Sequence, residues 1–479
     1  MMEKIKTTVL AILVAASLVQ SYFLAYSFPG LGAKVATGQS YTRIEQMGKV
    51  QKVENTIFPE QIVLHFGSDQ HTVLVPGQSY YNSLFNGIKL REFGGLQRRS
   101  AFQADWDEVE RGHKGVELRF GTGIPVPLLQ KVMRLTGGDL LFLQDTIDRV
   151  WIYLEEEPGF VRVYLGSSDG RTVYESTRAD LTVSDLEQYL GPGVAWVPYR
   201  KWGGRLYLPE TPVQAVDYEY AYEKYTPEQM QRSLFFDPGT TKAIQDGSDT
   251  KVYTNGKSVL QLQQNGSWMS YTDPVADLNS ENRLSDNVLA AVQYVNDHGG
   301  WDGLHRFVGE GPVGEGDTIE FQKYHHQYPV IGSSGFSFGS MRLVLKQGVV
   351  SEYERSMLTV GDSLGKTSMR WLPGGNELLV ALSNYERKAA VESLYPALRV
   401  TPVKGKQAMR MEPVWAVRLI DGSQEVLMTA LPATRQFEDF KLPKLRLPLP
   451  EEPSGQNADG TQQDDVLVDP RLEPKALNP

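Results

Sequence analysis

Three strings in this chain carry the spacing of a serine acyl-transfer site. Ser363-Leu364-Gly365-Lys366 is an S-x-x-K, Ser285-Asp286-Asn287 an S-D-N, and Lys366-Thr367-Ser368 approximates K-T-G. In enzymes that use this set the serine opens a helix, S-D-N follows it, and K-T-G comes last on a strand. Here S-D-N comes first and the other two strings share Lys366, which cannot serve both roles. Gly335-Phe336-Ser337-Phe338-Gly339 spells a nucleophile elbow, but a hairpin pattern follows it where the elbow needs a helix. Gly309 to Gly314 reads G-x-G-x-x-G with a proline inside and no helix start behind it. Gly361 to Thr367 is one residue short of a phosphate-binding loop. No catalytic residue is expected.

The histidines add no metal chemistry. His298/His305 and His325/His326 are the close groups, and neither gives the i, i+4 pair with a carboxylate that zinc sites use. His325 and His326, read as neighbours on one strand, are expected to point to opposite faces. The chain has no cysteine, which excludes disulfides, thiolate metal sites and a cysteine nucleophile. Its net charge of −10 makes it a poor surface for nucleic acid or anionic lipid. No cofactor and no nucleic-acid partner are expected.

The elements that position these residues begin with an apolar segment. Val9 to Phe28 carries no charge, and about 20 residues at 1.5 Å each cover the roughly 30 Å hydrocarbon core of a bilayer. Lys4 and Lys6 precede it, so the positive-inside bias puts the N-terminus in the cytoplasm and everything after Pro29 outside. A cleaved signal has an apolar region of about 7–15 residues, so a retained single-pass anchor is the better reading. Ser17, Ser21 and Ala25 recur at four-residue spacing, and Gln20 lies on the same side as Ser17. Small residues let a second helix approach, and a glutamine amide in hydrocarbon gains from an interhelical hydrogen bond. That face is the candidate partner-helix interface.

Beyond the anchor the pattern is α+β, with mostly antiparallel strands and packed helices. Asn255-Gly256 and Asn265-Gly266 punctuate alternating runs into a three-stranded meander over 252–272, and Asp421-Gly422 joins two further strands. Strands are expected near 61–66, 72–75, 116–120, 149–154 and 161–165. Thr226-Pro227-Glu228-Gln229 is a capping box with proline at the first helical position. Leu284, Val288, Ala291, Val292 and Val295 keep helical spacing up to a stop at Gly299. A further helix is expected over about 377–395, and the two helix-to-hairpin runs suggest an internal repeat. The expected divisions are 1–30 (anchor), 31–220, 221–310 with the meander, 311–442, and a proline-rich acidic tail over 443–479 with little to bury.

Several strings then stand together: the Lys-flanked anchor, Phe235-Phe236-Asp237-Pro238, the meander ending Trp268-Met269-Ser270-Tyr271, and Tyr294 to Trp301 followed by Gln327-Tyr328-Pro329-Val330. Together they resemble the YycH family, membrane-anchored extracytoplasmic regulators of the cell-wall sensor histidine kinase YycG, also called WalK, in Gram-positive bacteria. The resemblance runs from the anchor to about residue 432, and His298-Gly299-Gly300-Trp301 is its most specific element. It implies a non-enzyme that works beside a YycI-like companion and contacts the kinase through transmembrane helices. The motif block is expected to close a helix and seat Trp301 in the core. An envelope ligand sensor, which would need a cleft with convergent polar groups, and a cell-wall hydrolase or acyltransferase are the alternatives.

Overall fold

The computed structural model describes residues 47–432 apart from 104, 156–158, 247–249, 275–282, 311–316 and 347, together with Lys6 and Ser17. Two sheets carry the chain. In the first, β1 (Gln61–Gly67) and β2 (Gln70–Leu74) form a hairpin, then β3 (Glu92–Ser100), β4 (Lys114–Pro125) and β5 (Arg134–Thr136) follow. β6 (Thr146–Glu155), β7 (Phe160–Ser167), β8 (Thr172–Ala179), β9 (Tyr199–Trp202) and β10 (Leu206–Pro209) complete it. Their order is β10-β9-β2-β1-β4-β6-β7-β8-β3-β5, antiparallel except for β3 beside β5.

Alternation decides what each face buries. Ile62 and Leu64 of β1, Val116 and Leu118 of β4, Val150 and Ile152 of β6, and Val163 and Leu165 of β7 enter the main core. The intervening positions put His65, Glu117, Arg119, Arg149 and Trp151 on the other face. That face is buried as well, in part beneath the short helix Trp106–Gly112, whose Asp105 cap accepts from the Asp107 and Glu108 amides.

The second sheet starts at β11 (Val213–Lys224) and includes the meander β12 (Lys242–Asp246), β13 (Thr250–Thr254), β14 (Val259–Gln263) and β15 (Trp268–Thr272). β16 (Leu304–Glu310), β17 (Asp317–His325), β18 (Tyr328–Ile331), β19 (Ser340–Lys346) and β20 (Val349–Ser356) come next. β21 (Leu358–Leu372), β22 (Val391–Pro402), β23 (Ala408–Leu419), β24 (Gln424–Thr429) and β25 (Leu431–Pro432) close it. The short β18 joins its halves, pairing with β17 on one side and parallel to β22 on the other. The expected divisions at 220 and 310 fall inside β11 and between the paired strands β16 and β17.

The capping box at Thr226 forms in full and starts the helix Pro227–Leu234. The 3.6-residue pattern gives the helix Leu284–Asp297, with Val288, Ala291, Val292 and Val295 buried. At Asn265-Gly266 both residues take positive φ, whereas at the other turn only Gly256 does.

Two expectations are corrected. The helix of 377–395 ends at Asn384, and residues 391–402 are strand β22. β22 pairs with β23 along its length, and tertiary pairing outweighs local propensity. Pro396 is tolerated because β18 meets β22 only at Leu398 and Arg399, so no ladder bond is lost on that side. His326 does not share a strand with His325: it sits at φ 53° in the turn from β17 to β18, and the two rings lie 4.3 Å apart. Among the described residues no helix is long and apolar enough to cross a membrane. Residues 9–28, where the anchor is expected, lie outside the described residues except Ser17, as does the 443–479 tail.

Candidate functional site

The motif block closes the helix Leu284–Asp297. The His298 amide donates to Tyr294 O (2.9 Å), the Gly300 amide to Val295 O (2.8 Å), and the His298 ring stacks on Tyr294 at 3.9 Å. Burial holds the His298 imidazole below its ordinary pKa. Gly299 and Gly300 take φ of +105° and +74°, a region open to glycine at little cost. The reversal delivers Trp301 into the core at 1% exposure, edge-on to Phe321 at 5.0 Å, with its indole N–H donating to Asn296 Oδ1 (2.9 Å).

What the block holds is the segment that arrives from the expected anchor. Lys49 and Trp301 exchange both backbone hydrogen bonds, Lys49 N to Trp301 O (2.8 Å) and Trp301 N to Lys49 O (2.9 Å). Asn296 adds two more, accepting from the Gln51 amide and donating to the Gln51 carbonyl, each at 2.9 Å. Contact is close enough that a Cβ on Gly48 would stand 2.6 Å from Trp301 O, and one on Gly300 2.7 Å from Gly48 C. The two glycines therefore serve one backbone-to-backbone crossing.

Beneath it Asp302 is pinned. Lys323 Nζ donates to its Oδ2 (2.5 Å), His305 Nε2 lies 3.4 Å from Oδ1 and Arg355 Nη2 3.9 Å away. Arg355 also donates to Gly300 O (2.8 Å) and to the Tyr353 hydroxyl (3.0 Å), so the loop is tied to β20. Burial would raise the Asp302 carboxyl, but Lys323, His305 and Arg355 outweigh it and hold the group well below the carboxylate range. Burial, only partly opposed by Asp302, pushes His305 down to about 4.

Two other buried networks were not read from the sequence. Glu60, just before β1, accepts from Arg306 of β16 (3.0 Å) and Arg418 of β23 (2.6 Å), which fastens the first sheet to both halves of the second. Burial would raise Glu60, yet Arg418 and Arg306 together hold it below its ordinary value. On the second face of the first sheet, His65 Nδ1 and His71 Nδ1 share a 3.0 Å hydrogen bond. His71 reaches Asp69 (3.2 Å) and His65 lies 3.6 Å from Glu117. Burial and the neighbouring His65 push His71 down to about 4, against the pull of Asp69. Lys201 salt-bridges to Asp107 (2.7 Å) and Glu110 (2.5 Å), tying the helix Trp106–Gly112 to β9. With His65 3% exposed, His71 1% and Glu117 0%, this network fastens a helix to a sheet and cannot meet a substrate. The pair was not legible: a two-residue turn at Ser68-Asp69 alone would set His65 opposite Thr72, and only the register shift between His65 and Gly67 brings it opposite His71.

The acyl-transfer strings do not converge. Ser363 and Lys366 lie on the exposed middle of β21, where Lys366 pairs with Glu219 of β11 (3.3 Å). Ser285 and Asn287 are buried on the helix Leu284–Asp297. Ser337 is hydrogen-bonded to Gln264 through both its amide and its hydroxyl. Among the described residues no three His, Asp or Glu side chains are set to hold a metal ion. Of the proposed helix interface, Ser17 is helical and exposed, while Gln20, Ser21 and Ala25 lie outside the described residues.

Family models for the YycH protein N-terminal and C-terminal domains match residues 3–190 and 204–430. The chain belongs to the YycH family. The first matched stretch takes in residues 9–28 and the second takes in His298 to Trp301. The crystal structure of YycH from Bacillus subtilis is similar at a TM-score of 0.65 and 17% identity, covering 80% of this chain and 99% of that one. At that identity the likeness speaks for the shared α+β fold. No curated protein matches the chain. Membership of the YycH family brings a regulatory role in the YycG histidine-kinase system, of a kind that is not enzymatic.

Proposed function

We propose that this chain is anchored by residues 9–28 with its N-terminus in the cytoplasm and its body outside, and that it regulates a YycG-like (WalK-like) sensor kinase by packing its anchor against the kinase helices. A YycI-like companion completes the assembly. The observation that supports this reading is the strap at residues 47–51: the chain leading from the anchor is hydrogen-bonded to the helix-closing block of the second sheet before it enters the first. A displacement of His298–Trp301 therefore pulls on the segment that leads to the membrane.

The energetics fit tuning rather than command. Moving a two-state kinase from 1:99 to 99:1 takes about 5.5 kcal/mol of differential binding. Interhelical hydrogen bonds in a bilayer contribute about 1–2 kcal/mol, so one glutamine and a small-residue face shift an equilibrium without fixing it. Replacing Ser17, Gln20 and Ser21 together by Leu is expected to weaken association with the kinase in a two-hybrid assay. Unchanged association removes the helix face from the mechanism. Single cysteines placed along 9–28, in a chain that has none, report the same contact by crosslinking.

A further inference from the structure

One cavity gathers cations that the fold leaves without counter-ions. β11 ends at Lys224, and the chain passes through Tyr225 into the helix Pro227–Leu234. Between that passage and the β13–β14 ladder lies a cavity of about 510 Å³, within the range of small-ligand pockets. Its walls include Tyr225, Pro227 and Leu262, with Asn265 and Gly266 at the turn into β15. Two lysines also line it. Lys251 stands opposite Leu262 in the ladder and so shares its face. Lys224 crosses the turn, its Nζ donating to Asn265 O (2.6 Å). Gly266 clears the way, since a Cβ there would stand 2.9 Å from that nitrogen.

Neither amine meets a carboxylate. Among the described residues Lys224 and Lys251 form no ion pair, and no Asp or Glu lines the cavity. Glu223, the neighbour of Lys224 on β11, lies against Gly361 on the other face of the strand. Glu228, in the first turn of the helix, acts instead on the Tyr253 phenol, which burial and this carboxylate raise above its ordinary value. Burial first, then the like charge of Lys251, pulls the Lys224 amine below its ordinary pKa. An ammonium has three donors, of which Lys224 gives one to Asn265. Both lysines are exposed, so a ligand reaches them without moving the fold. An acidic group placed in the cavity relieves the repulsion between them.

We propose that this cavity binds a short acidic peptide, with one carboxylate on Lys224, a second on Lys251 and an apolar side chain between them against Leu262 and Pro227. Lysines supply separate point charges rather than the forked donors that match phosphate. Two point charges beside an apolar wall suit two carboxylates carried on a hydrocarbon body. The occupant also rests on Tyr225, whose ring lies 5.4 Å from the Arg355 guanidinium, the group that donates to Gly300 O. The site thus adjoins the block that holds the strap, and it does not depend on the kinase reading.

The test uses the full-length chain in detergent micelles, titrated calorimetrically with the end-capped tripeptide Glu-Leu-Glu. The controls, at matched ionic strength, are end-capped Gln-Leu-Gln, glutarate and inorganic phosphate. One Glu-Leu-Glu is expected to bind per chain at millimolar concentration or below. Lys224→Gln and Lys251→Gln, both at exposed positions that spare folding, are each expected to weaken it about two- to fivefold, the range of an exposed ion pair. Lys251→Arg, which keeps the charge, is expected to leave it unchanged; a loss equal to that of Lys251→Gln shows that charge is not what binds. Absence of saturable heat with millimolar Glu-Leu-Glu overturns the proposal. So does Gln-Leu-Gln or phosphate binding as tightly, or binding that both glutamine variants leave unchanged. Glutarate as tight as the tripeptide takes the apolar wall out of recognition and overturns the peptide assignment.

Discussion

Gly48→Ala separates the strap from the rest of the fold. A Cβ at this position would lie 2.6 Å from Trp301 O, 2.7 Å from Trp301 N and 2.8 Å from Gly300 C, all backbone atoms that no side-chain rotation can clear. Segment 47–51 must move off the block, and the first bonds lost are the two between Lys49 and Trp301. Each is worth a net 0.5–1.5 kcal/mol, so the strap weakens by about 1–3 kcal/mol. At about 1.4 kcal/mol per factor of ten, it opens on the order of 5 to 150 times more often. Trp301 keeps its place against Phe321 and its bond to Asn296, so the core is spared. Native-state hydrogen exchange reads the result directly: the Lys49, Gln51 and Trp301 amides lose that much protection while amides of β19 and β20 keep theirs. In cells the same variant shifts kinase-dependent reporter output toward the level of a strain lacking this chain. If those three amides stay as protected as in the parent chain, the crossing does not hold the strap. If they exchange freely and the reporter does not move, the strap is no part of regulation.

His305 makes stability depend on pH. Its imidazole titrates near 6.5 in the unfolded chain and about 4 when folded, so the unfolded state takes the proton first. The contribution is whole above pH 6.5 and is lost as pH falls toward 4, on the order of 3 kcal/mol over that span. His305→Gln is expected to flatten the urea midpoint against pH in that window, and an unchanged slope refutes the assignment. Glu60→Gln leaves Arg306 and Arg418 buried without their carboxylate. Unpairing buried charge costs about 3–5 kcal/mol; a urea midpoint equal to the parent's would show that other groups neutralise the pair.

Local rules carried much of the fold. The meander 250–272, the helix opened by Thr226 and the helix closed at Gly299 each rest on contacts between near neighbours in the chain, and the sequence spells those contacts out. Composition excludes thiol chemistry, and the sharing of Lys366 by two strings already breaks the acyl-transfer set. Residues 391–402 read as helix because their partner β23 is not visible in their own spacing; pairing along a whole strand decided the matter. The reach of the motif block is the same kind of fact. That His298-Gly299-Gly300-Trp301 ends a helix follows from its residues, but that its glycines receive Gly48, or that Glu60 anchors Arg306 and Arg418, depends on which distant segments fold against each other. Hydrophobic alternation says that a face is buried without saying what covers it. The first sheet shows the consequence: one face packs on apolar side chains, and the other buries histidines, glutamates and arginines whose partners arrive only with the tertiary structure.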